Sequence, residues 1–347
     1  MPLMAALEFK SIHEPVLPIS GTVDLAPFLI MIVLLAAGGI LMGYRPHRQR
    51  LRRVVQGLAF LAFVIGLHPC ACMIRDFVQG AAKINYDNLT AFLFLSLIIP
   101  VVAFTLVWGR IFCGWVCPIG FVQEMGTRLT DWMRRSPNAT LMKRVRFGLA
   151  AALLLGTVGT WAFIRPNNFP VIQGLTAGYL IVLSILVMLS VADRRWEVFL
   201  RRVRYVSLAL FFVATAVGVY MQAAFCVLFV NIFDRATVML FIGVLFASLI
   251  LSQAWCRFLC PEGALLGLLT RLSGRKITLD VARCSGCNLC NQVCPVEAIE
   301  VGQVDERSCL YCCKCVDVCP TDAIDMTAPP AERDSLMALP VVGRSAT

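Results

Sequence analysis

Eight cysteines near the C-terminal end fall in two runs of identical spacing. Cys284, Cys287, Cys290 and Cys294 are followed by Pro295; Cys309, Cys312, Cys315 and Cys319 are followed by Pro320. A cysteine at every third position, closed by a fourth cysteine and a proline, is the spacing that wraps a [4Fe–4S] cluster, and in paired runs the fourth cysteine ligates the other cluster. The spacing therefore predicts two clusters. Cys284, Cys287, Cys290 and Cys319 would hold one, and Cys309, Cys312, Cys315 and Cys294 the other. Structural zinc is the rival chemistry, but zinc ribbons use two separated cysteine pairs rather than four-cysteine runs closed by proline. Cys313 lies between ligands, out of register, and reads as a non-ligand.

A second pattern occurs twice further upstream, as Cys113-x-x-x-Cys117-Pro118 and Cys256-x-x-x-Cys260-Pro261. Two cysteines four apart on a helix share a face. Two such pairs meeting would supply four thiolates, a full set for one cluster. Spacing leaves open whether the four bind one cluster, help hold two, or take another metal. The proline is expected to stop each helix and free backbone amides for hydrogen bonds to sulfur. A third group comprises His68, Cys70, Cys72 and Cys226. It reads as a soft metal or cluster site, as a disulfide in an oxidising compartment, or as unrelated buried thiols. Gln123, Glu124 and Glu262 follow the Cys-x-x-x-Cys-Pro motifs closely and read either as proton acceptors for a quinol or as groups facing water.

The elements that must position these residues are strongly apolar. Hydrophobic residues make up 59% and charged residues 15% of the chain, against roughly 45–50% and 25% in ordinary soluble domains. Apolar stretches at 25–44, 54–73, 89–109, 147–164, 175–192, 205–222 and 237–254 are read as spans of a bilayer core that needs about 20 helical residues. Arg45, Arg48, Arg50, Arg52 and Arg53 follow the first stretch, and Arg194, Arg195, Arg201, Arg202 and Arg204 follow the fifth. Such alternation reads as cytoplasmic loops. The net charge of +10 sits in these loops, which argues against nucleic acid.

The expected fold class is thus a polytopic α-helical membrane protein of two pseudo-repeated halves, with a C-terminal α+β two-cluster bacterial ferredoxin domain. Residues 1–24 would be a periplasmic segment, 25–270 the transmembrane domain, 271–326 the cytoplasmic ferredoxin domain and 327–347 a loosely ordered tail. The location expected is the bacterial inner membrane.

The segment Trp108 to Gly120, the second Cys-x-x-x-Cys-Pro and the paired C-terminal runs together resemble the NosR/NapH-type membrane iron–sulfur (polyferredoxin) family. The resemblance implies electron relay between quinone, or a cytoplasmic donor, and a periplasmic redox partner protein. It implies two [4Fe–4S] clusters in the ferredoxin domain and an additional cluster or metal upstream. NosR-type proteins carry a large flavin-binding domain before the membrane part; residues 1–24 precede the first apolar stretch here, so no covalent flavin is expected in this chain. Rival readings are a metal-handling Cu(II) or Fe(III) reductase or assembly factor, and a redox-sensing subunit.

Overall fold

A computed structural model describes residues 26–44, 47–62, 99–135, 139–163, 170–193, 195–216, 235–300 and 303–327. In chain order the upstream helices are α1 (Ala26–Gly43), α2 (Arg48–Phe60), a helical stretch at 99–108, α3 (Pro118–Arg135), α4 (Ala139–Phe163), α5 (Pro170–Ala192), α6 (Arg195–Leu200), α7 (Val203–Ala216), α8 (Arg235–Ile250), α9 (Ala254–Phe258) and α10 (Pro261–Leu269). The C-terminal part follows as β1 (Lys276–Leu279), α11 (Leu289–Val293), β2 (Ile299–Glu300), β3 (Gln303–Val304), α12 (Lys314–Val318) and β4 (Ile324–Thr327).

Helices α4, α5 and α8 bury Leu153, Leu180, Leu183, Val187, Val244 and Ala247 in one core, with Trp255 and Phe258 of α9. Approach of α8 to α5 is close at Gly243, where an added Cβ would meet Leu180 Cδ2 at 2.5 Å. Ser184 and Ser248 return their hydroxyls to carbonyls four residues back, so these polar groups are satisfied inside apolar helices.

A second core is shared between the two parts of the molecule. Leu35, Met42, Val55, Ile111 and Trp115 pack in one cluster with Ile277, Val296, Leu310, Tyr311 and Ile324 of the C-terminal part.

The expectation of a polytopic membrane fold is corrected by the helices themselves. Among the described residues, no helix is long and apolar enough to cross a membrane. The stretch at 237–254 ends as a helix at Ile250 after 16 residues, about 24 Å at 1.5 Å per residue. The stretch at 205–222 gives α7, of 14 residues among those described. The stretch at 147–164 belongs to a helix that begins at Ala139 and carries Lys143, Arg144 and Arg146 ahead of the apolar part. Much of 54–73 and 89–109 lies outside the described residues. Leu153, Leu183 and Val244 of the apolar stretches serve helix–helix packing in α4, α5 and α8.

The basic residues have another use as well. Arg48, Arg52, Arg201 and Arg204 are buried. Arg48 pairs with Asp317 at 3.2 Å, Arg201 donates to the Glu297 carbonyl at 2.9 Å, and Arg204 donates to Ser308 Oγ at 3.1 Å. Charges read as loop signals therefore seat the C-terminal part.

That part is an α+β unit as expected. β1 pairs antiparallel with β4, Ile277 opposite Met326, and β2 pairs with β3, Ile299 opposite Val304. Its internal repeat extends to the backbone. Left-handed φ values recur at Gly286 and Tyr311 (71° and 54°), at Asn288 and Cys313 (58° and 59°), and at Glu297 and Asp322 (49° and 50°). Cys313 thus stands where the first run has asparagine, at the residue that starts the short helix of its half. Asparagine tolerates this conformation better than most residues.

Candidate iron–sulfur sites

The first Cys-x-x-x-Cys-Pro motif begins at a sharp bend. Gly109 has φ 77°, and a Cβ there would lie 2.3 Å from the Tyr311 ring, so both conformation and space require glycine. A single wide helical turn, Phe112–Val116, carries Cys113, and Cys117 is then extended (φ −59°, ψ 118°) before Pro118 opens α3.

The second motif ends alike. Cys256 lies in α9, Cys260 is extended (φ −63°, ψ 110°), and Pro261 opens α10. The Gly263 N–H donates to Cys260 Sγ at 3.2 Å, and the Gly120 N–H does the same for Cys117. Paired cysteines therefore do not share one helical face. One sits on a turn and the other caps the next helix, which proline starts at its first position. The amides that meet sulfur come from the first turn of that next helix, where N–H groups lack helical partners.

The fold brings Cys113, Cys117, Cys256 and Cys260 into mutual electrostatic reach. Burial, reinforced by the neighbouring sulfurs, pushes the Cys117 and Cys256 thiols well up. Burial and Glu262 raise Cys260 to about 12. Iron binding must displace such protons.

Gln123 donates Nε2–H to Cys256 Sγ at 3.1 Å while its Oε1 accepts from Ser248 Oγ and the Trp255 N–H. It is a fixed donor to sulfur rather than a group facing water. Arg110, 1% exposed, donates through Nη2 to Cys113 Sγ at 3.7 Å. Sequence reasoning passed over Arg110, although its place three residues before Cys113 was a usable signal.

Among the described residues, no three of His, Cys, Asp or Glu converge tightly enough to hold a single metal ion. A four-iron cluster is held by four cysteines, one at each iron, and does not require that convergence. The donor set of four thiols beside a buried cation fits such a cluster.

In the C-terminal part, Cys294, Cys309, Cys312 and Cys315 are drawn together. Burial pushes Cys309 and Cys315 well up and Cys294 up. Cys294, which comes from the first run, thus lies beside cysteines of the second. Cys290 lies in reach of Cys284 and Cys287, and burial raises it. Burial opposes it, but hydrogen bonds from Thr321, Ala323 and Ile324 together draw Cys319 down. Cys284 and Cys287 are exposed, whereas Cys309 and Cys315 are buried. Cys313 is fully buried, burial with Cys312 pushes it up to about 12, and its Sγ–H donates to the Tyr311 carbonyl at 3.6 Å. His68, Cys70, Cys72 and Cys226 lie outside the described residues.

The buried C-terminal set and the four-cysteine set face each other through short contacts. Trp115 Nε1 donates to the Tyr311 carbonyl at 3.1 Å, and Arg110 Nη1 to the Arg307 carbonyl at 2.7 Å. At Gly114 an added Cβ would sit 2.2 Å from the Leu310 carbonyl oxygen. Arg257 joins Glu197 at 2.8 Å and Glu297 at 3.4 Å.

Beside this contact lies a cavity of about 430 Å³, walled by Gln49, Arg52, Gln56, Glu124, Lys314 and Asp317 among others. Burial alone would raise Glu124, but Arg52 and Lys314 hold it down at about 2. A carboxylate held that low is a poor proton acceptor near neutral pH, so the quinol-base reading of Glu124 is not supported.

Comparison with known proteins assigns chemistry to both regions. One 4Fe-4S binding domain family matches residues 90–139 and 235–280, the segments holding the Cys-x-x-x-Cys-Pro motifs. Another 4Fe-4S binding domain family matches 277–300 and 303–325, the two C-terminal runs. These matches assign [4Fe–4S] clusters to the chain and support a role in iron–sulfur electron transfer.

Its relatives include the ferredoxin-type protein NapH of Escherichia coli, 26% identical over 61% of this chain and 56% of NapH. The methylamine utilization ferredoxin-type protein MauN of Methylobacillus flagellatus is 25% identical over 54% of this chain and 48% of MauN. An uncharacterized protein of Methanocaldococcus jannaschii is 25% identical over 77% of this chain and 82% of that protein. The chain is thus similar, over part of its length, to NapH-type ferredoxin proteins. It spans about half the length of NapH, MauN and the E. coli protein YccM. No solved structure matches.

Proposed function

We propose that this chain is a three-site electron relay, in which Cys113, Cys117, Cys256 and Cys260 hold a cluster beyond the two of the C-terminal part. A cluster so held supplies one-electron transfer at a potential set by charge, hydrogen bonds to sulfur and burial. The observation that carries the reading is the contact between the Cys113–Cys117 turn and the Cys309–Cys315 loop, joined by the Trp115 and Arg110 hydrogen bonds. Cys284 and Cys287 are exposed and form the accessible end, Cys309 and Cys315 are buried, and the four upstream cysteines are half-buried beside them. A redox partner protein meets the accessible end. The C-terminal unit, assigned to residues 271–326, works in a reducing compartment such as the cytoplasm, where its thiols stay reduced.

Iron analysis and low-temperature EPR of anaerobically purified protein test the reading. Wild-type protein is expected to hold more iron than the C-terminal runs can ligate, and C113S/C256S to lose only the excess. Equal iron and identical spectra in both would refute the third site.

A further inference from the structure

Arg110 is a buried cation with no carboxylate within ion-pair distance among the described residues. Its buried neighbours differ. Arg52 is paired with Glu124, and Arg257 with Glu197 and Glu297. The like charge of Arg204 lies close to Arg110, and among the described residues Arg204 is held by Ser308, Tyr205 and a cation–π contact at 5.0 Å rather than by an ion pair. Burying an uncompensated charge costs several kcal/mol, so an anionic counterpart must lie within reach. Arg110 interacts with Cys113, Cys260 and Cys256. Around the guanidinium the chain has made room. A Cβ on Gly263 would lie 2.9 Å from Nη2, and one on Gly267 would lie 3.5 Å from Nη1. One hand of the fork reaches Cys113 Sγ and the other the Arg307 carbonyl, which stands two residues before Cys309.

We propose that Arg110 is the counter-ion and positioning residue of the four-cysteine site: its fixed charge raises the reduction potential there, and its fork locks that site to the C-terminal ligand loop. The inference rests on the reading that these four cysteines hold a cluster. A positive charge beside an anionic cluster favours the reduced form, which carries one more negative charge. The fork makes the role specific to arginine in geometry, while the charge alone can be carried by lysine.

The test is an EPR-monitored redox titration of whole wild-type, R110Q and R110K proteins, with iron content measured alongside. R110Q is expected to shift the potential of the four-cysteine site negative by at least about tenfold in the one-electron equilibrium, about 59 mV. The C-terminal clusters are expected to keep theirs. R110K, retaining charge, is expected to stay within about threefold of wild type.

An unchanged potential in R110Q overturns the proposal. So does an equal loss in R110Q and R110K, which would mark a merely structural side chain. If R110Q loses the iron of the site, R110K decides alone: a wild-type potential supports the charge role, and a tenfold-lowered one, about 59 mV, overturns it. Wild-type iron and spectra unaltered by C256S would overturn the four-cysteine reading itself, an outcome visible before any Arg110 variant is made.

Discussion

The indole N–H of Trp115 donates to the carbonyl oxygen of Tyr311 at 3.1 Å, and both residues are buried. Trp115 lies between Cys113 and Cys117, and Tyr311 between Cys309 and Cys312, so one hydrogen bond ties two ligand segments far apart in sequence. W115F keeps most of the ring and removes the donor. Leaving a buried carbonyl unsatisfied costs about 1–3 kcal/mol. Chemical denaturation is expected to show that loss, and limited proteolysis a faster release of the C-terminal part, with iron retained.

Gly114 has no room for a methyl group, because a Cβ would meet the Leu310 backbone oxygen at 2.2 Å. Backbone cannot rotate away as a side-chain tip can, so G114A must part the two segments. A loss of about 1–3 kcal/mol or more is expected. Weakened magnetic interaction between neighbouring clusters in EPR would report the separation directly, and an unaltered spectrum would argue against the contact.

Glu124 links α3 to both α2 and α12 through Arg52 and Lys314. Its value of about 2 in the folded protein lies below the ordinary 4.5. The unfolded chain therefore takes up this proton first as pH falls. Its stabilisation is complete above about 4.5 and declines as pH drops toward 2, with a full size of about 3 kcal/mol. Denaturation of wild type and E124Q is expected to show a constant gap from pH 7 to 5 and a narrowing gap below about 4.5.

Cys313 is fully buried at φ 59°, the conformation that Asn288 adopts in the other half. C313N and C313S are expected to retain the wild-type iron content, whereas C312S loses part of it. Iron loss in C313S equal to that in C312S would make Cys313 a ligand.

Cys294 sits with Cys309, Cys312 and Cys315 rather than with its own run. C294S is expected to perturb the same EPR signal as C309S and to leave the signal removed by C287S in place. A shared effect of C294S and C287S would mean that each run binds its own cluster.

The sequence by itself determined the ligand chemistry. Cluster ligation depends on cysteines at short, fixed separations, and that information is local. It also determined the internal repeat of the C-terminal part, since residues at matched places, Gly286 with Tyr311 and Asn288 with Cys313, adopt matched backbone conformations. Only the tertiary structure decided how the apolar stretches and arginines are used. Hydrophobicity reports that a side chain leaves water, not whether lipid or another helix receives it. Leu180 and Val244 meet each other's helices, and no described helix is fit to cross a bilayer. Charge likewise reports a cation without its partner. Arg48 meets Asp317 and Arg110 meets the Arg307 carbonyl across sequence distances that local patterning does not encode. The seating of one ligand set against another rests on long-range contacts such as Gly114 to Leu310, which exist only once the chain has folded.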